Sequence, residues 1–361
     1  MENNGSWSFG EKKVTQSTHN DLILDLKNVN VKFKVEDDTL HILRDVSLSL
    51  PRGSFLCVVG ESGCGKSVTA QAIVQLLPDN GQISSGKIEF STDNQVVELN
   101  TLEKFGKQMR DIRGGKIGMI FQDTLSSLNP AHKVGRQVAE SLLQHMDISK
   151  DEARTRVIEL FRKLGIPDPE RRYEAYPHEF SGGMRQRVMI AIATVCEPDL
   201  VIADEPTTAL DVTIQAQIMT LLKDLQKTAG KSFILITHNM ALVSEVADHV
   251  AVMYLGRVVE YGAVNEVLRD PRHPYTKALM ASVPTLDADK DVELQTVDGQ
   301  TPSPAEVTVG CEFAGRCPYV IAACKEKTIE MTQISASHEA RCIRLDANGK
   351  LPVLVGGANN E

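Results

Sequence analysis

Residues 60–67, with the sequence GESGCGKS, constrain the fold of this chain more than any other segment. They fit the pattern G-x-x-x-x-G-K-[ST], in which backbone N–H groups surround a phosphate while the lysine and the hydroxyl reach the outer phosphates and a Mg²⁺ ion. An apolar run at 55–59 precedes the pattern, and apolar residues at helical spacing follow it as far as Pro78. The order strand, glycine loop and helix predicts an α/β core that binds a nucleoside triphosphate at a helix N-terminus.

The predicted nucleotide-binding residues are contiguous in this loop. They are Gly60, Glu61, Ser62, Gly63, Cys64, Gly65, Lys66, Ser67 and Val68. Lys66 would contact the β- and γ-phosphates, and the Ser67 hydroxyl would take a Mg²⁺ position. Cys64 stands beside Lys66 at the start of the predicted helix, where a thiolate is favoured. We therefore expect alkylation of the cysteines to inhibit activity through Cys64, and bound nucleotide to protect it.

A second set of chemically active side chains follows other predicted strands. Asp204 and Glu205 come at the carboxyl end of an apolar strand, where an open α/β sheet presents its catalytic groups. Asp204 would hold Mg²⁺, and Glu205 would polarise an attacking water. Gln122 and His238 each follow a further predicted strand. The competing interpretations are a solvated acidic turn, a polar loop residue and a structural histidine.

The length of 361 residues favours a main domain with an appendage. We predict a nucleotide-binding domain at 21–268, with a helical subdomain at about 134–194. A proline-punctuated, acidic C-terminal extension follows at 269–361. Residues 1–20 are polar and lack an apolar core, so we expect a loose tail rather than a signal peptide.

Charge and hydropathy exclude other classes of protein. The net charge of −9 argues against binding to nucleic acid or anionic lipid through bulk electrostatics. No apolar run approaches the roughly 20 residues that a membrane helix needs. The composition, with 42% hydrophobic and 24% charged residues, is that of an ordinary soluble protein.

With these pieces in order, residues 22–268 resemble the ATP-binding subunits of ABC transporters. The motifs beyond the phosphate loop match at Gln122 (Q-loop), Ser181-Gly182-Gly183 (signature), 200–205 (Walker B), 209–211 (D-loop) and His238 (H-loop). Phosphate loops occur in many NTPases, but the signature and its spacing are specific to the ABC class. The resemblance implies an ABC-type P-loop NTPase domain with a RecA-like α/β core, an antiparallel β edge and a helical subdomain, followed by a small, loop-rich, cysteine-containing extension.

The resemblance also implies how such a chain would use ATP. Each ATP would lie between two subunits, held by the phosphate loop of one and by Ser181, Gly182 and Gly183 of the other. The implied catalytic residues are Glu205, His238, Gln122 and Lys66, the implied Mg²⁺ ligands are Ser67, Gln122 and Asp204, and Asp211 of the D-loop joins the nucleotide site. Phe33 would stack on adenine. Its alternative is a strand residue packed in a core.

Three further sequence motifs are typical of the dipeptide/oligopeptide (peptide/nickel) importer branch: FSGGMRQR at 180–187, SSLNP at 126–130 and HPYT at 273–276. That branch carries a C-terminal extension with four cysteines, which here are Cys311, Cys317, Cys324 and Cys342. In relatives the pattern is similar to a 4Fe–4S ligand set. The wide spacing favours a cubane cluster over zinc, whose structural sites usually have C-x₂₋₄-C pairs. Zinc and reduced thiols stay open as alternatives.

The implied partners are a second, related ATPase subunit, two transmembrane permease subunits and, indirectly, an extracytoplasmic substrate-binding protein. We expect a heterodimer, although a homodimer is possible, and a peripheral location on the cytoplasmic face of the membrane. Nickel or oligosaccharide is an alternative cargo. A non-transport ABC ATPase is the alternative from another class, and a redox or regulatory role of the extension is a third reading.

Overall fold

The computed structural model describes residues 22–93, 95–122, 127–208, 210–282, 299–306 and 309–353. The predictions for residues 1–20 and for Ala209 concern residues outside these ranges, as does the first residue of SSLNP, Ser126. Within these ranges the strands form a four-stranded and an eight-stranded sheet. None of the described helices is long and apolar enough to cross a membrane.

The four-stranded sheet is antiparallel and has the order β2-β1-β4-β5. Its strands are β1 (Leu22–Val35), β2 (Asp38–Pro51), β4 (Gly81–Thr92) and β5 (Gln95–Glu98). The long pairing of β1 with β2 confirms the antiparallel edge expected before the phosphate loop.

The eight-stranded sheet has a parallel centre and an antiparallel edge, in the order β11-β12-β10-β9-β3-β8-β7-β6. Its strands are β3 (Phe55–Val59), β6 (Ile117–Ile120), β7 (Leu200–Asp204), β8 (Ser232–Thr237), β9 (His249–Tyr254), β10 (Arg257–Ala263), β11 (Thr332–Ser335) and β12 (His338–Ala340). Every residue of β3, β7 and β8 is buried. Such continuous apolar runs are expected where both faces of a parallel sheet are covered.

The two faces of this sheet belong to two hydrophobic cores. Phe55, Cys57 and Val59 point into one core, where the Phe55 ring stacks on Phe233 at 5.2 Å. Leu56 and Val58 point into the other, which includes the antiparallel sheet. The alternation follows from the two-residue period of a strand. Because β3, β6, β7 and β8 pair parallel to one another, their carboxyl ends lie at one edge of the sheet.

Helices surround the sheet and form a cluster of their own. The first group comprises α1 (Lys66–Ile73), α2 (Lys107–Ile112), α7 (Val212–Ala229), α8 (Met240–Val246) and α9 (Val264–Arg269). The cluster comprises α3 (Val134–His145), α4 (Lys150–Lys163), α5 (Pro169–Tyr173) and α6 (Gly182–Thr194). Ser149 caps α4 by accepting from the Glu152 N–H, which is one reason why α4 begins where it does.

The C-terminal extension contributes two strands to the main sheet. It contains α10 (Pro274–Ala281), α11 (Ala323–Glu326) and the strands β11 and β12. β12 pairs antiparallel with β10, with Glu260 opposite Ala340 and Gly262 opposite His338. Strand pairing therefore crosses the predicted boundary after residue 268, and that division stays a prediction.

Candidate active site

The phosphate loop connects β3 to α1 through a backbone that only glycine adopts easily. Gly60, Gly63 and Gly65 have φ values of 152°, 77° and 103°. A Cβ atom at Gly60 would lie 2.2 Å from the carbonyl oxygen of Met253 on β9. Gly65 is the N-cap of α1 and no side chain caps this helix. The first N–H groups of α1 are therefore available to an anion at this end of the helix.

Lys66 lies across the loop that precedes it. Its Nζ donates to the carbonyl oxygens of Gly60 and Glu61, each at 2.9 Å, and the side chain is buried. The positive charge is thus held at the concave side of the glycine loop. This is the place that the sequence predicts for a contact with the outer phosphates.

Ser67 and Asp204 bring the two halves of the predicted metal site together. The Ser67 Oγ donates to Asp204 Oδ1 at 3.0 Å, although the residues are far apart in sequence. Burial raises the pKa of Asp204, against the opposing effect of the Ser67 hydrogen bond. A hydroxyl beside one buried carboxylate fits Mg²⁺, which in phosphoryl transfer takes one or two protein ligands and completes its shell with water and phosphate.

Glu205 is held by three side chains, of which two come from other segments of the site. Its Oε2 accepts from Gln122 Nε2 at 3.0 Å and from Thr208 Oγ1 at 3.0 Å. His238 Nδ1 lies 3.4 Å from Oε1. The Glu205 backbone has a left-handed φ of 45°, which is uncommon for this residue type and typical of functional sites. Two of the other three predicted catalytic residues, Gln122 and His238, therefore converge on the carboxylate of Glu205.

Thr208 was not predicted as a site residue, and neither was Tyr275. Thr208 follows Glu205 by three positions, so the sequence EPTT at 205–208 could have indicated that Thr208 belongs to the site. Tyr275 belongs to the segment HPYT, which served above only as a family marker. Its fully buried hydroxyl accepts from the N–H of Glu61 in the phosphate loop, at 2.9 Å.

Phe33 lies on β1 and pairs with Gly81 of β4. A Cβ at Gly81 would come within 2.9 Å of the ring, so the ring packs on this glycine. The side chain is half-buried at the edge of the core beneath the antiparallel sheet. The packing agrees with the alternative structural interpretation, and the adenine-stacking role stays a prediction.

The signature residues lie at the start of α6. Ser181 is its N-cap, with Oγ accepting from the Met184 N–H at 3.3 Å, and both Ser181 and Gly182 are exposed. Gly183 packs close to Ile214 of α7. Asp211 caps α7 in the same way, by accepting from the Ile214 N–H at 2.9 Å. Both predicted groups thus have a structural role within one chain, and their contact with nucleotide stays a prediction.

The structure disfavours a reactive thiolate at Cys64, and the effect of alkylation stays a prediction. Its side chain is 1% exposed, and its Sγ is close to the position that a Gly60 Cβ would occupy. Burial raises the pKa of the thiol, and the nearby Lys66 ammonium only partly opposes this. The sequence shows the cation and the helix N-terminus but not the distant segments that cover them.

The four cysteines of the extension lie in one region of it. The Cys311 N–H donates to the Cys324 carbonyl at 2.7 Å, and the thiols of Cys311, Cys317, Cys324 and Cys342 are close enough to affect each other electrostatically. Burial raises the pKa of Cys311 to about 12 and that of Cys317 to about 11. However, no group of three or more His, Cys, Asp or Glu side chains in the described ranges is arranged to hold a metal ion. The donor set therefore does not fit a metal in this arrangement, and the structure gives the predicted 4Fe–4S cluster no support.

The comparisons with known proteins match both parts of the chain. The family model "ABC transporter" matches residues 43–208, and "Oligopeptide/dipeptide transporter, C-terminal region" matches 259–324. The dipeptide transport ATP-binding protein DppD of Bacillus subtilis is 45% identical over 94% of this chain and 99% of its own length. The chain belongs to the ABC transporter ATPases.

Other relatives of this ABC ATPase agree with that assignment. The oligopeptide transport ATP-binding protein OppD of Bacillus subtilis is 48% identical over 88% of this chain and 87% of its own length. Among solved structures, the ATP-binding cassette MJ0796, a dimer bound to ADP and Pi, has a TM-score of 0.59 at 29% identity and covers 67% of this chain and 98% of its own. CbiO1 of Clostridium perfringens has a TM-score of 0.56 at 32% identity, covering 70% and 97%. The predicted family, fold class and ATPase activity are confirmed.

Proposed function

We propose that this ABC ATPase is the ATP-hydrolysing subunit of an importer for di- or oligopeptides. The observation that carries the proposal is the similarity to peptide-transport ATPases over nearly the whole chain, including the C-terminal region. The ABC domain alone would not distinguish a peptide importer from other transporters. Nickel and oligosaccharide remain the alternative cargoes, and a non-transport ATPase is the alternative class.

The geometry supports separate roles for the residues of the site in binding phosphate, holding Mg²⁺ and accepting a proton. Lys66 and the loop N–H groups would hold the triphosphate. Ser67 and Asp204 would hold Mg²⁺, with Gln122 as the third residue, and the ion would neutralise phosphate charge. The carboxylate of Glu205 is oriented by Thr208 and Gln122, so it is ready to accept a proton from an attacking water.

His238 would complete this arrangement on the side of the γ-phosphate. Its ring is exposed and lies beside Glu205. It can therefore contact both the carboxylate and a group bound at the open edge of the sheet. In this role His238 supports the orientation of water and phosphate, and the rate comes mainly from positioning and charge stabilisation.

A second ATPase subunit would complete each nucleotide site. The exposed Ser181 and Gly182 leave a helix N-terminus accessible to the phosphates of a facing subunit. The solved cassette MJ0796 is dimeric. We propose a related but different ATPase as the partner, with a homodimer as the alternative.

The remaining partners follow from the importer assignment. Two transmembrane permease subunits would dock on the region of Gln122 and the helical cluster, and an extracytoplasmic binding protein would deliver the peptide. We therefore propose a peripheral location at the cytoplasmic face of the membrane. The net charge of −9 disfavours nucleic acid as a partner.

The four-cysteine region enters this proposal as a prediction to be measured. The 4Fe–4S cluster rests on the sequence resemblance, because the cysteines in the described ranges are not arranged to hold a metal ion. Iron, sulfide and zinc analysis of protein purified without oxygen separates the alternatives. About four irons and a broad visible absorption band would establish the cluster, and metal-free protein would refute it.

The function is tested by deleting the gene in the source organism and measuring uptake of labelled dipeptide, oligopeptide, nickel and oligosaccharide. Loss of peptide uptake, restored by the wild-type chain but not by Glu205→Gln, is expected. In purified protein Glu205→Gln should retain ATP binding and lose at least 100-fold in turnover, since it removes the proposed base. Loss of nickel or sugar uptake alone would overturn the cargo assignment, and unchanged uptake of all four would favour a non-transport role.

A further inference from the structure

The C-terminal extension contacts the phosphate loop directly, at Glu61. Arg316 Nη1 donates to Glu61 Oε2 at 2.7 Å, and Nη2 donates to Oε1 at 3.0 Å. Thr301 Oγ1 also donates to Oε2, at 2.5 Å. Together with the Tyr275 hydroxyl on the Glu61 N–H, three residues of the extension hold one residue of the loop. A two-point arginine–carboxylate pair fixes orientation as well as charge.

Arg316 is itself held in place by aromatic side chains. Its Nη1 donates to the Tyr254 hydroxyl at 3.2 Å, and its guanidinium lies within 6 Å of the ring centroids of Tyr254 and Phe313. Its side chain is 7% exposed, against 24% for that of Glu61. The pair is therefore mostly shielded from water, where the cost of an unpaired charge is highest.

Arg316 also compensates a charge that the nucleotide site would otherwise disfavour. Burial raises the pKa of Glu61, but hydrogen bonds from Arg316 and Thr301 outweigh it, and the net pKa is lowered. Glu61 is therefore a carboxylate inside the loop that is expected to hold a polyanionic triphosphate. A negative charge on Glu61 would repel the phosphates of a nucleotide bound in the same loop, and more strongly where water is excluded. Pairing with Arg316 offsets that repulsion.

The position of Arg316 ties this pair to the cysteine-containing part of the extension. It precedes Cys317 directly, and the turn around it is closed by hydrogen bonds from Ala314 N–H to the Cys311 carbonyl and from Arg316 N–H to the Phe313 carbonyl. A rearrangement of this turn would move the guanidinium. A change in the cysteine-containing turn can thus reach the phosphate loop through the Arg316 side chain.

We propose that Arg316 is a positioning residue for ATP binding, which makes the C-terminal extension a functional part of the nucleotide site. It neutralises Glu61 and fixes the first half of the loop so that Lys66 and the loop N–H groups face the phosphates. The inference rests on the proposed role of residues 60–67 as the ATP site. It goes further by assigning the extension a direct effect on nucleotide affinity.

The test compares five full-length proteins with the wild type: Arg316→Gln, Arg316→Lys, Glu61→Gln, the double variant Arg316→Gln/Glu61→Gln, and Arg272→Ala as a matched control. Arg272 is an arginine of the extension with a 14% exposed side chain, and it binds Asp270 and the Gly349 carbonyl, away from the loop. ATP dissociation constants, KM, kcat and melting temperatures are measured for each.

Arg316→Gln is expected to weaken ATP binding about tenfold, equivalent to about 1.4 kcal/mol. Arg316→Lys, which keeps the charge but loses the two-point geometry, should lose less. The double variant should recover most of the affinity because it removes the uncompensated carboxylate together with its partner. Arg272→Ala should bind ATP as the wild type does.

Recovery in the double variant is the result that a merely structural role would not give. The proposal is overturned if Arg316→Gln binds ATP within twofold of the wild type, or if the double variant binds no better than Arg316→Gln. If Arg316→Gln does not fold, the proposal is overturned by an Arg316→Lys protein whose ATP dissociation constant, KM and kcat all equal those of the wild type. If the wild type fails to bind ATP, with Lys66→Ala no different, the nucleotide assignment fails instead.

Discussion

Thr208 offers the sharpest test of how the catalytic carboxylate is oriented. Thr208→Val keeps the shape of the side chain and removes the hydroxyl that donates to Glu205 Oε2. The carboxylate keeps its contacts with Gln122 and His238. The substitution therefore perturbs the orientation of Glu205 without removing the proposed base.

The size of the effect follows from the environment of the bond. A hydrogen bond to a charged group contributes about 1.5–3 kcal/mol. Glu205 is 16% exposed, but Thr208 lies at the surface, where water can partly replace its hydroxyl. The low end of the range applies, and it corresponds to about a tenfold loss in kcat. KM for ATP should stay within about twofold, because Thr208 contacts the base rather than the proposed phosphate-binding groups.

The assay is steady-state ATP hydrolysis by the purified protein, with Thr208→Ser as the matched control because serine keeps the hydroxyl. Thr208→Ser should stay within about threefold of the wild-type kcat. A wild-type kcat in Thr208→Val would show that Gln122 and His238 suffice to orient Glu205. Equal loss in both variants would show that the missing methyl packing, and not the hydrogen bond, matters.

Three further predictions concern buried groups. His273 is 1% exposed, and burial, aided by Arg341, lowers its pKa to about 3. The histidine of the unfolded chain has a pKa near 6.5, so below that pH only the unfolded state gains a proton. The free energy of unfolding should therefore be highest above pH 6.5 and fall by up to about 1.4 kcal/mol per pH unit below it. In denaturant titrations at several pH values, His273→Asn should flatten this dependence. Glu260 is fully buried and accepts from the Arg272 and His273 N–H groups, with His338 Nε2 at 2.7 Å. Glu260→Ala should therefore cost about 3 kcal/mol of unfolding free energy in denaturant titrations, and a loss below 1 kcal/mol would contradict the structure. Cys64 should react with iodoacetamide in native protein at least tenfold more slowly than in unfolded protein, as followed by peptide mass spectrometry; a faster native reaction would restore the thiolate hypothesis.

The local elements of the nucleotide site could be predicted because their signals lie within short stretches. The apolar run of β3, the glycines and the helical spacing of α1 are contiguous, so the phosphate loop follows from pattern alone. The runs of β7 and β8 predict buried strands, and the polar residues that follow them must then share an edge of the sheet. That reasoning correctly placed Asp204, Glu205 and His238 together.

The parts that could not be predicted depend on contacts between distant segments. Glu61 and Arg316 are 255 positions apart, and neither residue type nor spacing indicates the pair. The burial of Cys64 has the same origin, because Met253 on β9 packs against the loop. β11 and β12 are four and three residues long and gave no strand pattern, so the extension was expected to be loop-rich. Local sequence patterns likewise do not predict the order of the strands in the main sheet.

These distant contacts also change how the extension should be understood. An appendage that served only to bind a cofactor would need no contact with the phosphate loop. Here β12 extends the main sheet, Arg257 on β10 forms a buried ion pair with Glu312 at 2.6 Å, and Arg316 reaches Glu61. Anything that alters the extension must therefore either leave this layer of ion pairs intact or change the nucleotide site. ATP affinity separates the two cases. A change in the extension that keeps the ion pairs should affect only the free energy of unfolding. A change that breaks them should weaken ATP binding in proportion to the loss of the Arg316–Glu61 contact.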